Sequence, residues 1–543
     1  MLVYRRDSRH ASGRGLKRAL QRALRQAERS MDREGALDAL LRAGDLECAL
    51  ADAAHVTAPI AARITDELAA RLLGECRPRG ELGALADRLA RHSLPDRLRI
   101  KTPEGYAYYG LHPLRYAELA SARAAGAGPV GVIGIRSIGT SLGAVVCQAL
   151  VQRGRPADRI SVRPTGEPFA RVLRLDAGAR DFVRRICSRA GEFIVVDEGP
   201  GLSGSTFLAV CEALEACGAS ASRIDIFCSH QPDRARLLAD GAAARWRRFR
   251  SHAAAPPAPR SGREHSAGGW RVDVYGSYAS RWPATWVQLE RAKWLDADAR
   301  VIDKFEGLGP YGDEPFARAR TLADAGYAPA ARRVDSGYLR HAWLGGRPLR
   351  AADASPALLA QLARYCAFRS EAFSVSTDRA DSSALEEMVR VNAERALGVD
   401  LGATFQLEVA APVIADARMQ PHEWRIDGDR ERLFKIDGHG DGDGHLLPGP
   451  TDVCWDLAGA IVEWNLGGAA HAALASTYER LTGDPVSKRL SEYVACYCAL
   501  RIGMLTLADH SAPADEAERL RAARAHHVRR LRRALAARSR SAR

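Results

Sequence analysis

From residue 129 onward the chain alternates short apolar runs with glycine-rich turns and helices, and this pattern constrains the fold more than any other feature of the sequence. Apolar runs lie at 129–135, 193–196 and 223–227, and helical spacing of apolar residues follows at 142–151 and 207–217. Short apolar strands that alternate with helices predict a parallel sheet with helical crossovers. We therefore expect an α/β domain in this part of the chain.

The chain of 543 residues is too long for one hydrophobic core, and a change of composition indicates where it divides. Residues 251–269 are rich in Ala, Pro, Ser and Gly, as linkers are. We expect an α/β multidomain protein. Its predicted parts are a helical region at 1–94, a parallel-sheet domain at 95–250, a linker at 251–284, an α+β domain with a small β lobe and a larger helical lobe at 285–510, and a basic C-terminal helix at 511–543.

The net charge of +13 is concentrated at the two ends of the chain. Residues 1–30 contain nine Lys or Arg against two acidic residues, and residues 519–543 contain ten Arg and no acidic residue. Such basic arms can bind nucleic acid or an acidic partner. No nucleic-acid-binding motif accompanies them, so we interpret them as solvated helices and do not expect a nucleic-acid partner.

The remaining composition favours a cytoplasmic protein without a membrane span. The eleven cysteines are scattered without a CxxC pair, which is typical of a reducing compartment. No uninterrupted apolar run is long enough to cross a bilayer, and no secretory signal is visible. Small-molecule substrates are the expected partners, and a homo-oligomer is possible.

Two acidic residues and a glycine-rich turn follow the apolar run at 193–196. Asp197 and Glu198 lie at the end of this run, where ligands bind in open parallel sheets. Carboxylates at that position can accept hydrogen bonds from a pair of sugar hydroxyls. The turn then opens a helix whose first amides can hold a phosphate group. The predicted phosphate-binding residues are Ser203, Gly204, Ser205 and Thr206.

This pattern resembles the signature of the type I phosphoribosyltransferases, which is an apolar strand, two acidic residues, a short turn and a Thr/Ser-Gly-x-Thr/Ser segment. Residues 134–140 resemble the pyrophosphate-binding loop of that family, and 163–169 lie where its flexible hood over the diphosphate is found. The resemblance covers 95–235. Asp197 and Gly204 are one position farther apart than is usual, so either the turn is longer or Glu198 and Gly199 take the places of the acidic pair.

The resemblance implies that phosphoribosyl pyrophosphate binds with Mg²⁺ and that a nitrogen nucleophile displaces pyrophosphate. Catalysis then depends on positioning and on neutralising the leaving group. Asp197 and Glu198 are the implied catalytic residues, and Arg136 and Arg163 are the candidates for the charge of the leaving group. The implied substrate-binding residues also include Ser137, Gly139 and Thr140.

The second half of the chain contains a different series of charged residues. Lys304 lies on a predicted strand, Asp416 and Asp437 each follow an apolar run, and Asp456 begins an Asp-Leu-Ala segment. This order resembles the aminoglycoside phosphotransferases and choline kinases, over about 285–510. The resemblance implies a kinase-like fold that binds ATP and Mg²⁺ and transfers a phosphate group to a small molecule.

Roles in this site follow from the resemblance, residue by residue. Lys304 would contact the nucleotide phosphates and Glu314 would orient it. Asp416 would hold the acceptor hydroxyl, Asp437 would bind magnesium, and Asp456 would brace the catalytic loop. The usual metal-binding Asn is replaced by Pro421, and His422 is the predicted substitute ligand, with Glu423 as an alternative.

Three alternatives are compatible with the sequence. Ser141 lies in a GxSxG segment, and with Asp197 and His230 it would form a serine hydrolase triad. Both sites could instead serve a ligand-sensing regulator that binds without turnover. The segment His439–His445, with its alternating glycines, could bind a metal ion or form a loop over the nucleotide, and we prefer the loop.

Overall fold

The computed structural model describes residues 8–30, 32–74, 79–257, 259–344, 347–402, 405–427, 432–440 and 446–541, which divide into two compact units. Of the described residues, the N-terminal unit contains those from Ser8 to 257 together with Gly307–Tyr311. The C-terminal unit contains Pro259–Glu306 and the chain from Gly312 onward. The division between Ala258 and Pro259 lies inside the predicted linker at 251–284.

The N-terminal unit contains all the parallel strand pairs of the described residues, together with a set of helices. Its strands are β1 (Ser8–Ala11), β2 (Leu98–Lys101), β3 (Val130–Ile135), β4 (Ala157–Val162), β5 (Thr165–Glu167), β6 (Ala170–Val172), β7 (Glu192–Val196), β8 (Ile224–Cys228) and β9 (Arg250–Ala253). Its helices are α1 (Gly13–Ser30), α2 (Arg33–Asp52), α3 (Ala58–Leu72), α4 (Arg79–Ala90), α5 (Glu104–Ala107), α6 (Pro113–Ala122), α7 (Ile138–Gln152), α8 (Ala177–Cys187), α9 (Ser205–Ala216) and α10 (Ala242–Trp246).

A five-stranded sheet in the order β4-β3-β7-β8-β9 is the centre of this unit, and every neighbouring pair is parallel. The prediction of a parallel sheet is therefore confirmed. All residues of β3 and β8 are buried, as expected for strands that are covered on both faces. The carboxyl ends of these strands meet at one edge of the sheet, and β7 brings Asp197 to that edge.

The helices of the region 1–94 belong to the same unit as the sheet. Helix α2 buries a continuous apolar face that includes Leu40, Leu46 and Leu50. Helix α1 likewise buries Leu20 and Leu24 and leaves its basic residues on the other side. This burial explains why the helices join the sheet in one unit and do not form a separate region.

The C-terminal unit begins with a sheet and continues with helices. Its strands are β10 (Arg263–Glu264), β11 (Lys293–Asp296), β12 (Val301–Phe305), β13 (Ala331–Arg333), β14 (Tyr338–Ala342), β15 (Pro412–Ile414), β16 (Trp424–Asp427), β17 (Arg432–Lys435) and β18 (Pro450–Asp452). Its helices are α11 (Arg271–Tyr275), α12 (Asp313–Asp324), α13 (Pro356–Ala372), α14 (Ser383–Leu397), α15 (Cys454–Glu463), α16 (Gly468–Thr482), α17 (Leu490–Asp509) and α18 (Ala514–Ser541).

An antiparallel sheet in the order β10-β11-β12-β14-β13 forms the first part of this unit. Two short antiparallel pairs, β15–β18 and β16–β17, lie among the later helices and carry the loops of the candidate site. Helix α13 begins at an N-cap, Ser355, whose side chain accepts the amide of Leu358, followed by Pro356 in the first turn. The sequence order of a β-rich part before a helical part is as predicted.

The apolar helix α17 is the centre of the helical part. By length and composition alone it is able to cross a membrane, and it is the one helix in the described part of the chain that passes this test. Two thirds of its apolar window (67%) is buried inside the unit, against residues of helices α14 and α15, as in the core helix of a globular domain. The arginine-rich helix α18 also buries apolar residues, among them Leu520 and Leu531, so it is packed on one side.

Candidate functional site

Lys304 of the C-terminal unit lies near the end of β12, the central strand of the antiparallel sheet. Its side chain is buried, and its ammonium group pairs with the carboxylates of Glu306, at 2.8 Å, and Asp437. A buried charge is stable only when charged partners or hydrogen bonds replace water. The lysine that the sequence predicted for the nucleotide site is therefore fixed between two carboxylates.

Glu306 is the centre of this buried network. One of its oxygens pairs with the ammonium group of Lys304 and lies 3.1 Å from the Nε2 atom of His439. The other oxygen pairs with Arg291. Burial alone would raise the pKa of Glu306, but Arg291, Lys304 and His439 outweigh it and hold the pKa well below its usual range. Glu306 is therefore ionised at neutral pH.

Asp437 lies two residues after β17 and faces the same network. Burial opposes its ionisation, but the charges of Lys304 and Arg418 lower its pKa strongly. Ligand atoms of Glu306, Asp437 and His439 all lie within 4.8 Å of one another. Carboxylate oxygens are ligands that Mg²⁺ prefers, so this group is able to hold a cation beside Lys304.

The cluster does not include His422, which the sequence predicted as a metal ligand. The His422 ring instead stacks on the Trp270 ring, with centroids 5.2 Å apart and planes at 22°. Burial lowers the pKa of His422 to about 3, so its ring is neutral. The resemblance predicted a metal-binding residue next to Pro421. In the structure, the turn at that position directs the His422 ring towards the ring of Trp270. Glu423, the other predicted substitute, lies 4.0 Å from Lys435 and 3.8 Å from Arg418.

Asp416 lies two residues after β15 and is fully buried. Tyr365 donates its hydroxyl to one carboxylate oxygen, and Lys435 lies 3.4 Å from the other. The amide of Arg418 also donates to this second oxygen, at 3.2 Å. The Asp416 carboxylate is thus held by three donors in a fixed orientation.

Asp456, in the first turn of α15, binds the backbone of the loop that carries Asp416. Its two oxygens accept the amides of Asp416, at 2.8 Å, and Ala417, at 2.9 Å. Arg369 lies 3.6 Å from Asp456 and also donates to the carbonyl of Ile414, at 2.7 Å. Asp456 therefore braces this loop, which is the role expected from the sequence.

Glu314 does not occupy the position that the sequence predicted for it. Its side chain is 70% exposed at the start of α12 and pairs with Arg318 at 3.7 Å, one helical turn later. Among the described contacts, Glu306 orients Lys304 instead. The signal was present in the sequence, because residues two apart on a strand project from the same face. The residues Asp441–His445 of the predicted metal segment or loop lie outside the described residues.

In the N-terminal unit, Asp197 and Glu198 follow β7 at the carboxyl edge of the parallel sheet. Burial raises the pKa of Asp197 to about 7. The pKa of Glu198 is also raised well above its usual range, by burial and by the charges of Glu104 and Asp197. Glu198 accepts the amide of Gly105 at 2.6 Å, so one of the two predicted sugar-binding carboxylates is bound to the protein itself.

The predicted phosphate-binding turn leads into α9 through Gly204, whose φ of +71° favours glycine. The hydroxyls of Ser203 and Ser205 both donate to the carbonyl of Pro168, at 2.9 and 2.7 Å. Pro168 lies in the hairpin β5–β6, which is the segment predicted to be the hood. The structure therefore brings the hood and the turn together, while Thr206 is half-buried.

The predicted pyrophosphate loop connects β3 to α7 and contains a strained residue. Ser137 has φ +119°, a backbone conformation that costs energy for any residue except glycine. A Cβ atom on Gly139 would lie 2.5 Å from the carbonyl oxygen of Val196, so only glycine fits there. Thr140 is buried, and its hydroxyl has no hydrogen-bond partner within the described residues. Such strain is often found at functional sites.

The two arginines predicted to bind the leaving diphosphate both form ion pairs with the same carboxylate. Arg136 and Arg163 both pair with Asp52, at the end of α2, at 3.2 and 2.5 Å. Arg163 also donates to the sulfur of Cys48, at 3.2 Å. The sequence gave no indication of Asp52, because it lies 84 residues before Arg136.

The hydrolase interpretation is wrong in its geometry. Ser141 lies inside α7, 3% exposed, and its hydroxyl binds Tyr106, at 3.0 Å, and the carbonyl of Ile138. His230 binds Ser229 at 3.0 Å. A nucleophilic serine must be exposed at a sharp turn and bound to its base, and Ser141 meets neither requirement.

Comparisons with known proteins gave similarities in solved structures alone. No family model and no curated protein matches the chain. A choline/ethanolamine kinase family protein from Mesorhizobium loti is 16% identical over 45% of this chain and 89% of its own, with a TM-score of 0.29. Choline kinase LicA from Streptococcus pneumoniae is 14% identical over 44% and 89%, with a TM-score of 0.30. An aminoglycoside phosphotransferase from Alicyclobacillus acidocaldarius is 14% identical over 46% and 88%, with a TM-score of 0.31.

The three proteins are all kinases or phosphotransferases by name, and the phosphoribosyltransferase interpretation stays a prediction.

Proposed function

We propose that the C-terminal unit is a magnesium-dependent phosphotransferase that moves the γ-phosphate of ATP to a hydroxyl group of a small molecule. The observation that carries this proposal is the buried pair of Lys304 and Asp437, beside a loop that Asp456 fixes through the amides of Asp416 and Ala417. Phosphoryl transfer depends on neutralising phosphate charge and on holding the acceptor in line. The pair of Lys304 and Asp437 would neutralise the phosphate charge, and the fixed loop would hold the acceptor in line.

Each residue has a role in this proposal. Lys304 would bind the phosphate oxygens, and Asp437 with Glu306 would hold Mg²⁺, whose charge would offset that of the phosphates. The carboxylate of Asp416 accepts a hydrogen bond from the hydroxyl group of the acceptor. The same carboxylate is hydrogen-bonded by Tyr365 in this structure, so the hydroxyl has to replace that contact.

The test measures ATP binding and ADP formation with the full chain. We expect Mg²⁺-dependent ATP binding that Asp437→Asn weakens at least tenfold. Asp313→Asn is the matched control, because Asp313 is half exposed and pairs with Arg333 on the surface. ATP binding without ADP formation, across a panel of hydroxyl-bearing acceptors, would support the ligand-sensing regulator and contradict phosphotransfer.

We also propose, for the N-terminal unit, that it binds phosphoribosyl pyrophosphate and transfers the phosphoribosyl group to a nitrogenous acceptor. Three observations support this second function. The hairpin β5–β6 follows β4 and contacts the turn at Ser203, the strained Ser137 lies in the predicted pyrophosphate loop, and Asp197 lies at the carboxyl edge of the sheet. These features surround one edge of one sheet, where ligands bind in parallel α/β domains.

Binding of the diphosphate would exchange existing contacts. Phosphate oxygens would replace the carboxylate of Asp52 at Arg136 and Arg163. They would also replace the carbonyl of Pro168 at the two serine hydroxyls. Arginine pairs with phosphate as it does with carboxylate, through charge-assisted hydrogen bonds, so the exchange preserves the type of contact.

The test titrates phosphoribosyl pyrophosphate against the wild type and the double variant Asp197→Asn/Glu198→Gln, and measures pyrophosphate release with a panel of nitrogenous bases. We expect the double variant to lose at least tenfold in affinity. Asp233→Asn is the control, because Asp233 is exposed and pairs with Arg236 on the surface. Equal affinity of the wild type and the double variant would contradict the proposal.

A further inference from the structure

A cleft in the C-terminal unit is not explained by the contacts of Lys304 and Asp437. Its volume is about 410 Å³, which is within the range of small-molecule sites. The residues that line it are Tyr275, Arg281, Leu349, Arg350, Pro421 and His422. Four of the six side chains are aromatic or cationic and none is acidic, so the chemistry of the cleft is specific enough to indicate a class of ligand.

One wall of the cleft is aromatic and uncharged. His422 stacks on Trp270 at 5.2 Å, and the ring of Tyr275 meets His422 at 6.4 Å and 67°. Because burial holds the pKa of His422 near 3, the imidazole adds no charge to this wall at neutral pH. Stacked and edge-on aromatic rings offer a surface on which a planar ring packs favourably.

The cleft also carries positive charge. Arg281 and Arg350 are both exposed, and within the described residues neither guanidinium forms an ion pair with a carboxylate. Arg281 lies over the ring of Tyr278 at 5.0 Å, which holds it in place without cancelling its charge. Guanidinium groups bind carboxylates and phosphates through paired hydrogen bonds, and they repel cations.

The cleft is connected to the loop of Asp416 through a short series of contacts. His422 precedes Glu423, whose carboxylate lies 4.0 Å from the ammonium of Lys435. The same ammonium lies 3.4 Å from Asp416. A molecule that lies against His422 is therefore a few side chains from the carboxylate to which we assigned the acceptor hydroxyl.

We propose that this cleft binds the acceptor of phosphate transfer, and that the acceptor is a planar ring joined to an anionic group, a phosphate or a carboxylate. The inference rests on the phosphotransferase function proposed above. In the reaction, the acceptor hydroxyl oxygen bonds to the γ-phosphorus of ATP. The bond from that phosphorus to the bridging oxygen breaks, its electron pair leaves with ADP, and the hydroxyl proton passes to solvent.

The chemistry of the two units agrees with this class of acceptor. Phosphoribosyl transfer joins the nitrogen of a planar heterocycle to the sugar as pyrophosphate leaves, and the product is a ring that carries a ribose 5′-phosphate. Such a molecule has the ring, the anionic group and the free hydroxyls that the cleft requires. A reaction of the phosphoribosyl-transfer class is therefore a suitable source of the acceptor.

The test measures binding to the full chain with Mg²⁺ and a non-hydrolysable ATP analogue present. The probes are UMP, uridine, 3-(hydroxymethyl)benzoate and choline. We expect UMP or the benzoate to bind at least tenfold more tightly than uridine and choline. Tighter binding of UMP would identify a nucleotide acceptor, and tighter binding of the benzoate would identify an aromatic acid.

The variants test whether the arginines are responsible. Arg350→Gln should lower the affinity for the preferred anionic probe at least tenfold, and Arg350→Lys should lower it less. Arg395→Gln on α14 is the matched control, because Arg395 is an exposed arginine in the same unit. Arg350 is exposed, so its substitution should leave folding unchanged. Unchanged affinity in Arg350→Gln, or binding of choline as tight as that of the preferred anionic probe, would overturn the inference.

Failure of the cleft assignment is distinguishable from failure of the proposed function. Phosphate transfer to choline with a higher kcat/KM than to UMP or the benzoate would overturn the assignment and support phosphotransfer. Arg350-dependent binding of UMP without phosphate transfer to any probe would support the anionic cleft and contradict phosphotransfer.

Discussion

The substitution Glu306→Gln tests the buried network on which the proposed phosphotransferase site depends. Gln has the shape of Glu but no charge, so Lys304 and Arg291 lose their shared carboxylate without a cavity being formed. Lys304 keeps Asp437, and Arg291 keeps its hydrogen bond to the carbonyl of Gly440, at 2.8 Å. Breaking a buried ion pair by removing one partner costs about 3–5 kcal/mol, and we expect a loss of that size.

The pH dependence of this loss has a defined sign. The pKa of Glu306 lies well below its usual value of 4.5 in the folded state. The stability that it contributes is therefore complete above the unfolded pKa and disappears as pH falls through the folded pKa. The difference between the wild type and Glu306→Gln should be constant from pH 6 to 8 and should decrease only in acid.

Urea denaturation followed by tryptophan fluorescence measures this difference. Eight of the nine tryptophans lie in the C-terminal unit, so the signal reports mainly on that unit. Glu314→Gln is the matched control, because Glu314 is exposed and exposed pairs contribute at most about 1 kcal/mol. A loss below about 1 kcal/mol in Glu306→Gln, or a larger loss in Glu314→Gln, would refute the assignment of Glu306 as the partner of Lys304.

Three further predictions concern both sites. Lys304→Met should lower ATP affinity at least tenfold in a calorimetric titration, because the phosphates lose their cation; unchanged affinity would contradict its role. Asp197→Asn should stabilise the N-terminal unit by up to about 4 kcal/mol above pH 7 and hardly at pH 4. The pKa of about 7 means that the folded wild type keeps a proton which the unfolded chain has lost, so its stability falls as pH rises from about 4 to 7, and unfolding curves at both pH values check this. Asp52→Ala should raise the affinity for inorganic pyrophosphate about tenfold by freeing Arg136 and Arg163, and equal affinity would exclude their part in the site.

Local sequence patterns predicted the secondary structure of the sheet domain well. The apolar runs at 129–135, 193–196 and 223–227 correspond to β3, β7 and β8, and the helices at 142–151 and 207–217 correspond to parts of α7 and α9. Continuous apolar runs of this length are typical of strands that are buried on both faces. The crossover connections then leave few arrangements other than a parallel sheet.

Side-chain partners could not be predicted in the same way, because they depend on contacts distant in sequence. Glu306 and His439 meet across 133 residues, and Arg163 meets Asp52 across 111 residues. The sequence therefore suggested Glu314, an acidic residue in the first turn of the following helix, as the partner of Lys304. The position of His422 depends on a distant contact in the same way, since its ring stacks on Trp270, a contact that a motif does not contain.

The position of Lys304 between Glu306 and Asp437 has a consequence for the order in which ligands arrive. A divalent cation beside Asp437 would add positive charge next to Lys304 and Arg418, and the phosphates of a nucleotide would offset that charge. A nucleotide without the cation would in turn place its phosphates beside two carboxylates. Metal and nucleotide should therefore bind with positive cooperativity, each raising the affinity for the other by the same factor.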